Sequence, residues 1–538
     1  MAIPDIFKQR SAKENWSITD CSKLSANQTV EADVIIVGSG AGGGVTAEVL
    51  SQAGLNVVII EAGSLQTSDD FNLDEMEAYG KLYQEGAGRT TKDGAISIFQ
   101  GRTVGGTTVV NWTSSFRTPT PTLDFWNKEF GIEGVSHDDM APYFAQMEKR
   151  LNVEKWAMPP NPNNQLLKVG CEKNNWSWSV IPRNVAGCWD LGYCGTGCPT
   201  NAKQSMLVTT IPEALKNGAR LFHHCSAEKL NFSEHKVESV ECYALGEDRY
   251  TPTGVKLTFK APHIILSGGS INNPGLLLRS DAPDPHNRIG KRTTIHPVNA
   301  NLALMDEKVN PFYGAPQSIY SDEFQWNTGD DMGFKLEVPP IHPVMGAQIL
   351  GFHGEELAGI MANLSRFQTT IALLRDGFHE GSQGGTIELD QGGRPILDYP
   401  LTDYIWQGLR KAHHVMAEIQ FAAGAKQVMP LHHDGKYYSN LNDCKAAIDA
   451  LPQELHRQRI MTAHLMGGCS MGKDPTQSVV DSNAKFHHAD NLYVIDGSLF
   501  PTSIGANPQL SIYGMALKQA TRLAQTLTKS QTPAAAEA

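Results

Sequence analysis

The sequence predicts an α/β fold: a Rossmann-like domain assembled from separated stretches of chain, plus a second domain with an antiparallel sheet backed by helices. Three observations predict it. Residues 33–63, DVIIVGSGAGGGVTAEVLSQAGLNVVIIEAG, run strand, glycine turn, helix, strand, acid. Residues 263–280, HIILSGGSINNPGLLLRS, repeat the strand, glycine turn and helix, and 491–528 add a last short strand and a long closing helix. Between about 301 and 454 the texture changes. Short candidate strands (GFKLEV, GTIELD, RPILDYPL) alternate with turns, and one long amphipathic helix runs through 402–423.

The first element carries the most information. An apolar, β-branched strand, Val34–Val37, leads into Gly38-x-Gly40-x-x-Gly43. Gly38 permits the tight turn, Gly40 lets a pyrophosphate approach the backbone, and Gly43 lets helix and strand pack closely. The helix start then points free N–H groups at the phosphates. The second strand, Val57–Ile60, ends at Glu61, whose carboxylate can accept hydrogen bonds from ribose hydroxyls. This is a dinucleotide-binding βαβ unit. By itself it does not separate a nicotinamide from a flavin dinucleotide, although Glu61-Ala62-Gly63 resembles the flavoprotein form.

The expected division follows from these signals. It has an N-terminal extension at 1–30, dinucleotide-domain segments at 31–120, 195–300 and 455–530, substrate-side segments at 121–194 and 301–454, and a flexible tail at 531–538. With 538 residues the chain is too long for one simple core. A net charge of −12 argues against nucleic acid or an anionic membrane as partner, since both are recognised by basic patches. No apolar run reaches the roughly 20 residues needed to span a bilayer. The first 30 residues lack the apolar core of a secretory signal, so reduced thiols and a cytoplasmic location are expected for the nine cysteines. The histidines give no metal signature, and no metal ligands are assigned. Adjacent pairs such as His223–His224 should point in different directions and chelate poorly.

Three further segments suit chemistry. Residues 101–112, GRTVGGTTVVNW, hold a small-residue turn at Gly105 and Thr107 that can lie against a phosphate or a flat ring, or be an ordinary turn. Residues 464–472, HLMGGCSMG, place His464 before small residues, as suits a group at the edge of a planar cofactor. Residues 496–510, DGSLFPTSIGANPQL, contain Asn507-Pro508, which reads as a helix N-cap followed by proline at the first helical position. The positive end of that helix favours an anionic flavin.

Together, and in this order, these segments resemble the glucose–methanol–choline oxidoreductases. The resemblance runs from about 33 to 528, closest in flavour to cholesterol oxidase-like and long-chain alcohol oxidase-like members. It implies FAD as cofactor and oxidation of an alcohol to aldehyde or ketone. It implies that His464 is the base for the substrate hydroxyl and that Asn507 hydrogen-bonds the same oxygen. Asn111 matches the asparagine that lies against the flavin, and Asp496 and Gly497 match the segment touching pyrophosphate and ribityl chain. Some relatives attach FAD through a histidine just before that asparagine; here the position is Val110, so FAD is expected to be non-covalent. The resemblance suggests an apolar alcohol or sterol as substrate, and leaves oxygen, a quinone or a cytochrome as electron acceptor. Two other readings stay open: a flavin-containing lyase, or a sugar dehydrogenase or electron-transfer subunit of a complex. Cys188, Cys194 and Cys198 match the region where sugar-oxidising relatives carry an iron–sulfur cluster; a plain structural loop is the favoured reading.

Overall fold

The computed structural model describes residues 3–326 and 328–531; of the expected tail, 532–538 lie outside the described residues. One core is built on a six-stranded, wholly parallel sheet. Its order is Ser17–Asp20, Arg220–His223, Val57–Ile60, Val34–Val37, His263–Leu266, Leu492–Val494. Such a sheet is covered on both faces, so its strands read as continuous apolar runs. Val34, Ile35, Ile36, Val57, Val58 and Ile59 are fully buried. The helices Ala41–Gln52 and Gln509–Gln531 pack against each other. Gly38 sits at the carboxyl end of the central strand, where the connections diverge to either side. This is the point at which ligands bind open α/β sheets.

The segment 1–30 is not an extension preceding the fold. Ile6–Glu14 forms a helix, Ser17–Asp20 is the edge strand of the parallel sheet, and Gln28–Glu31 pairs with Pro252–Lys260. Its polar composition suits an edge position, where one side of the strand meets solvent. The segment 121–194 divides. Helices Thr120–Phe130 and His137–Arg150 bury Trp126, Phe144 and Met147 in the first core, whereas Pro162–Lys173 buries Leu167 and Cys171 in the second.

The second core rests on an eight-stranded, mainly antiparallel sheet. Its central strand, Val298–Leu304, pairs with Phe367–Leu374, which pairs in turn with Phe334–Glu337. The long helix Asp403–Ala422 covers one face. There Asn299 Nδ2 donates to Leu409 O (2.8 Å) and Asn301 Nδ2 to His413 O (3.0 Å). Val298, Ala300 and Leu302, with Ile371 and Leu373, point to the other face, as period-two alternation requires. Two strands expected here behave differently. Thr386–Leu389 and Pro395–Asp398 pair only with each other and pack on the helix Gly269–Arg279.

Candidate active site

A cavity of about 650 Å³ lies between the carboxyl end of the parallel sheet and the apolar face of the antiparallel one. Gly38, Gly40, Glu61, Ala62, Thr107, Asn111, Asp496, Gly497, His464, Asn507 and Pro508 all line it. Gly43, Gly63 and Gly105 stand behind the wall and shape it. Gly38 has φ +104°, and a Cβ there would lie 2.3 Å from Ser267 O. A Cβ on Gly43 would lie 1.9 Å from Gly38 O, so the helix start packs directly on the turn. A Cβ on Gly63 would lie 2.4 Å from Thr103 N. Gly105 N donates to Ser39 Oγ (3.0 Å), which docks the second glycine turn on the first.

Gly40 differs from its neighbours. A Cβ there would meet nothing closer than Gly106 Cα at 3.9 Å, so it would project into open cavity. That is a cradle for a group approaching the backbone at the start of Ala41–Gln52. Glu61 is oriented from both sides: Oε2 accepts from Ser39 Oγ (2.6 Å) and N (3.2 Å), and Oε1 accepts from Gly63 N (2.8 Å). Asp496 has a structural task beside any contact with ligand. Its oxygens accept from Gly269 N (2.7 Å), Asn273 Nδ2 (2.9 Å) and Ser498 N (2.8 Å). These elements fit the two-ended dinucleotide FAD.

His464 stands at the cavity wall beside the strand pair Thr294–Ile295/Leu465–Met466. Its Nδ1 lies 3.0 Å from Nδ1 of His296, the rings meeting edge to face at 88°. Burial pushes His464 down to about 4 from 6.5, so its imidazole is neutral at neutral pH. A proton on His464 Nδ1, donated to His296, leaves Nε2 as the lone-pair nitrogen.

Asn507 does not cap the final helix, contrary to the expectation from Asn-Pro. That helix begins at Gln509, and Pro508 O accepts its first bond from Ile512 N (2.9 Å). The side chain is drawn elsewhere: Asn507 Nδ2 donates to Glu337 Oε2 (3.1 Å). Sequence reasoning missed Glu337 and His296. Glu337 is wholly buried, and burial raises its carboxyl from 4.5 to about 7. Glu337 Oε1, Asn507 Oδ1 and His296 Nε2 are buried without hydrogen-bond partners among the described residues. Buried polar atoms of this kind call for a partner, which water or a bound molecule can supply. Nearby Lys335 pairs with Asp322 and lies over the Phe116 and Tyr320 rings (4.2 and 4.0 Å to centroids).

Two results are expected here. The native state holds a proton on Glu337 more tightly than the unfolded chain, so this group's contribution lowers stability as pH rises from about 4.5 to about 7. Glu337→Gln should therefore match wild type in Tm near pH 5 and exceed it at pH 8; equal slopes of Tm against pH would contradict the assignment. Asn507→Ala should cost about 1–3 kcal/mol, because buried Glu337 loses its donor, and not through a lost helix cap. Asn507→Asp keeps cap chemistry but sets a second carboxyl against Glu337, so thermal melts should rank it below Asn507→Ala. The reverse order would restore the capping role.

The cysteine loop supports the wall from behind. Fully buried Lys203 donates through Nζ to Val109 O (2.7 Å), Asn111 O (2.7 Å) and Cys194 O (2.6 Å). Arg183 Nε donates to Thr113 Oγ1 (2.7 Å), and its Nη2 lies 3.6 Å from Cys194 Sγ. The loop thus holds the turn that presents Val110 and Asn111. Among the described residues, Cys188, Cys194 and Cys198 do not bring three thiols within 4.8 Å of one another. All nine cysteines are free thiols.

This architecture meets its family in the comparisons. Two GMC oxidoreductase models match residues 79–298 and 381–516. The chain belongs to the GMC oxidoreductase family: it is an FAD-binding oxidoreductase acting on CH–OH groups. It is 29% identical to a long-chain-alcohol oxidase of Arabidopsis thaliana over 97% of this chain and 70% of that protein. It is 25% identical to a 6'''-hydroxyparomomycin C oxidase of Streptomyces lividus, covering 92% of each. Formate oxidase of Aspergillus oryzae shares the fold with a TM-score of 0.69 at 16% identity, over 94% of this chain and 100% of that one. A pyridoxine 4-oxidase superposes with a TM-score of 0.64 at 18% identity, over 91% and 98%. Among the described residues no helix is long and apolar enough to cross a membrane.

Proposed function

We propose that the enzyme oxidises an apolar alcohol, with His464 as the base and non-covalently held FAD. The observation that carries this reading is the apolar chamber beside His464. Val298, Ala300, Ile371, Leu373, Ile341 and Met345 line the cavity that His464 also lines. A sugar would leave its hydroxyls unpaired against such walls at a cost of about 1–3 kcal/mol each. An alkyl or sterol body buries its surface there instead, at about 25 cal/mol per Å². The 29% identity to a long-chain-alcohol oxidase supports the same substrate class.

In this reading the substrate hydroxyl sits between His464 and Asn507. His464 Nε2 takes its proton, and His296 Nδ1 accepts from His464 Nδ1–H to hold that tautomer. Asn507 offers its unpaired amide atom to the reacting oxygen. With Glu337 protonated, a flipped amide accepts from the carboxyl and presents Nδ2 as a donor to the reacting oxygen; with Glu337 ionised, the amide donates to the carboxylate and turns only Oδ1, an acceptor, toward an oxygen that gives its proton to His464. Bound FAD supplies the hydride acceptor.

Two expected results test this. A long-chain alcohol or sterol should bleach the flavin anaerobically with a higher kcat/KM than glucose, and a preference for glucose would overturn the substrate class. Acid precipitation should release yellow flavin into the supernatant, since Val110 stands where relatives place a linking histidine. Flavin retained in the pellet would show a covalent bond.

A further inference from the structure

Neighbouring residues on a strand point to opposite faces, which would deny the pair His223–His224 any value as a chelate. The fold overturns that expectation. The strand Arg220–His223 ends at His223, and His224 takes φ +52°, a left-handed conformation uncommon outside glycine. This turns the second ring back toward the first, and the two Nδ1 atoms stand 3.0 Å apart. Asp20 is the register partner of His223 on the edge strand Ser17–Asp20. Its Oδ1 lies 2.9 Å from His224 Nδ1 and 3.9 Å from His223 Nδ1. Three ligand atoms, from the ends of two neighbouring strands and the residue after one of them, therefore lie within 4.8 Å of one another.

Hydrogen bonding accounts poorly for this convergence. Asp20 Oδ1 already accepts from Ser22 Oγ (2.6 Å) and Ser22 N (3.1 Å). A neutral imidazole Nδ1 carries either one proton or one lone pair. If His224 is protonated at Nδ1, one proton must serve both Asp20 and His223. If it is not, its lone pair faces the carboxylate. A cation at the centre makes all three contacts attractive. Zinc–ligand bonds of 2.0–2.2 Å in tetrahedral geometry place neighbouring ligand atoms about 3.3–3.6 Å apart, and the three separations here fall on either side of that range. The two histidine side chains are 8% and 9% exposed and Asp20 is 23% exposed, so the site is built into the protein and open at the carboxylate edge. Lys23 Nζ lies 3.4 Å from Asp20 Oδ2, but its side chain is 74% exposed and free to swing into water. The sequence neighbours Cys21 and Cys225 are buried thiols outside the three-atom cluster.

We propose that Asp20, His223 and His224 bind one divalent transition-metal ion of the zinc class, with solvent as the fourth ligand. The ion clamps the N-terminal strand to the edge of the dinucleotide-binding sheet. It also stiffens the turn that holds the cofactor carboxylate, because His224 N donates to Gly63 O (3.1 Å) and Cys225 N to Glu61 O (2.9 Å). The role is structural, and the site lies away from His464 and Asn507.

The test uses the FAD-loaded enzyme, treated with a chelator, dialysed and equilibrated with zinc chloride. Bound metal is read by mass spectrometry and stability by Tm. One zinc per chain should bind, and Tm should rise with free zinc, as for any ligand of the native state. Asp20→Asn keeps the acceptor that caps Ser22 N, and His223→Gln keeps a polar side chain of similar reach. Each should weaken zinc binding by about tenfold or more at unchanged FAD content. Cys188→Ser, which alters the separate cysteine loop, should bind zinc as wild type does. The proposal is overturned if stoichiometric zinc is not taken up, if both site variants bind it as tightly as wild type, or if uptake is lost only in Cys188→Ser.

Discussion

His464→Ala should keep its FAD and reduce it at least about 10²-fold more slowly when mixed anaerobically with alcohol. The imidazole is a neutral base at the cavity wall, and its second nitrogen is anchored through the 3.0 Å contact to His296. FAD retention is expected because the glycine turns, Glu61 and the Asn111 segment are all built without His464. The pH profile adds a second reading. Burial lowers His464 to about 4, so the wild-type reduction rate should stay level as pH falls through 6.5 and drop only near 4. A bend near 7 would assign the controlling titration to Glu337 instead. A His464→Ala enzyme that reduces its flavin at the wild-type rate would place the base elsewhere.

Gly40→Val should fold and purify colourless, whereas Gly42→Val should fail to accumulate as folded protein. Gly40 caps the helix Ala41–Gln52 and Gly42 lies in its first turn, and their tertiary surroundings differ. A Cβ at Gly40 meets nothing closer than 3.9 Å, so valine fills the space left for the pyrophosphate and leaves the protein's own packing alone. A Cβ at Gly42 would lie 1.9 Å from Ile495 O, backbone directly after the edge strand Leu492–Val494 and held by the Ile495 N to Leu266 O bond. Circular dichroism and flavin content separate the two outcomes. Gly40→Val carrying a full complement of FAD would remove the turn from the cofactor site.

Much of the site is legible in the chain because its parts are local. The turn after Val34–Val37, the acid after Val57–Ile60 and the segment before Asn111 each need a few consecutive residues with special backbone demands. Glu337 was hidden for the opposite reason. In GFKLEV its alternation with apolar neighbours looks like an ordinary strand with one wet face. The residue belongs to the site only because Phe334–Glu337 is buried throughout and Asn507, 170 positions away, lands beside it. His296 is hidden likewise: it gains its role from the bridge Ile295↔Leu465 that sets its ring against His464. The Asn507-Pro508 pair misled by one residue: the helix begins at Gln509, and Asn507 turns its amide nitrogen to the buried carboxyl while its Oδ1 caps no N–H among the described residues.

By itself, the sequence determined the dinucleotide-binding unit and the order of the pieces that complete it, whereas His464 and Asn507 stand out only through the family resemblance. Short-range sterics impose those: glycine where a side chain would strike backbone, β-branched runs where strands are buried on both faces. The tertiary structure alone decided that residues 17–20 close the parallel sheet, that His223 and His224 face Asp20, and that Glu337 stands against Asn507 and His296 against His464. Each of these depends on side chains brought together by strand register and packing, and register is set by the whole buried face of a sheet. No window of neighbouring residues contains that information.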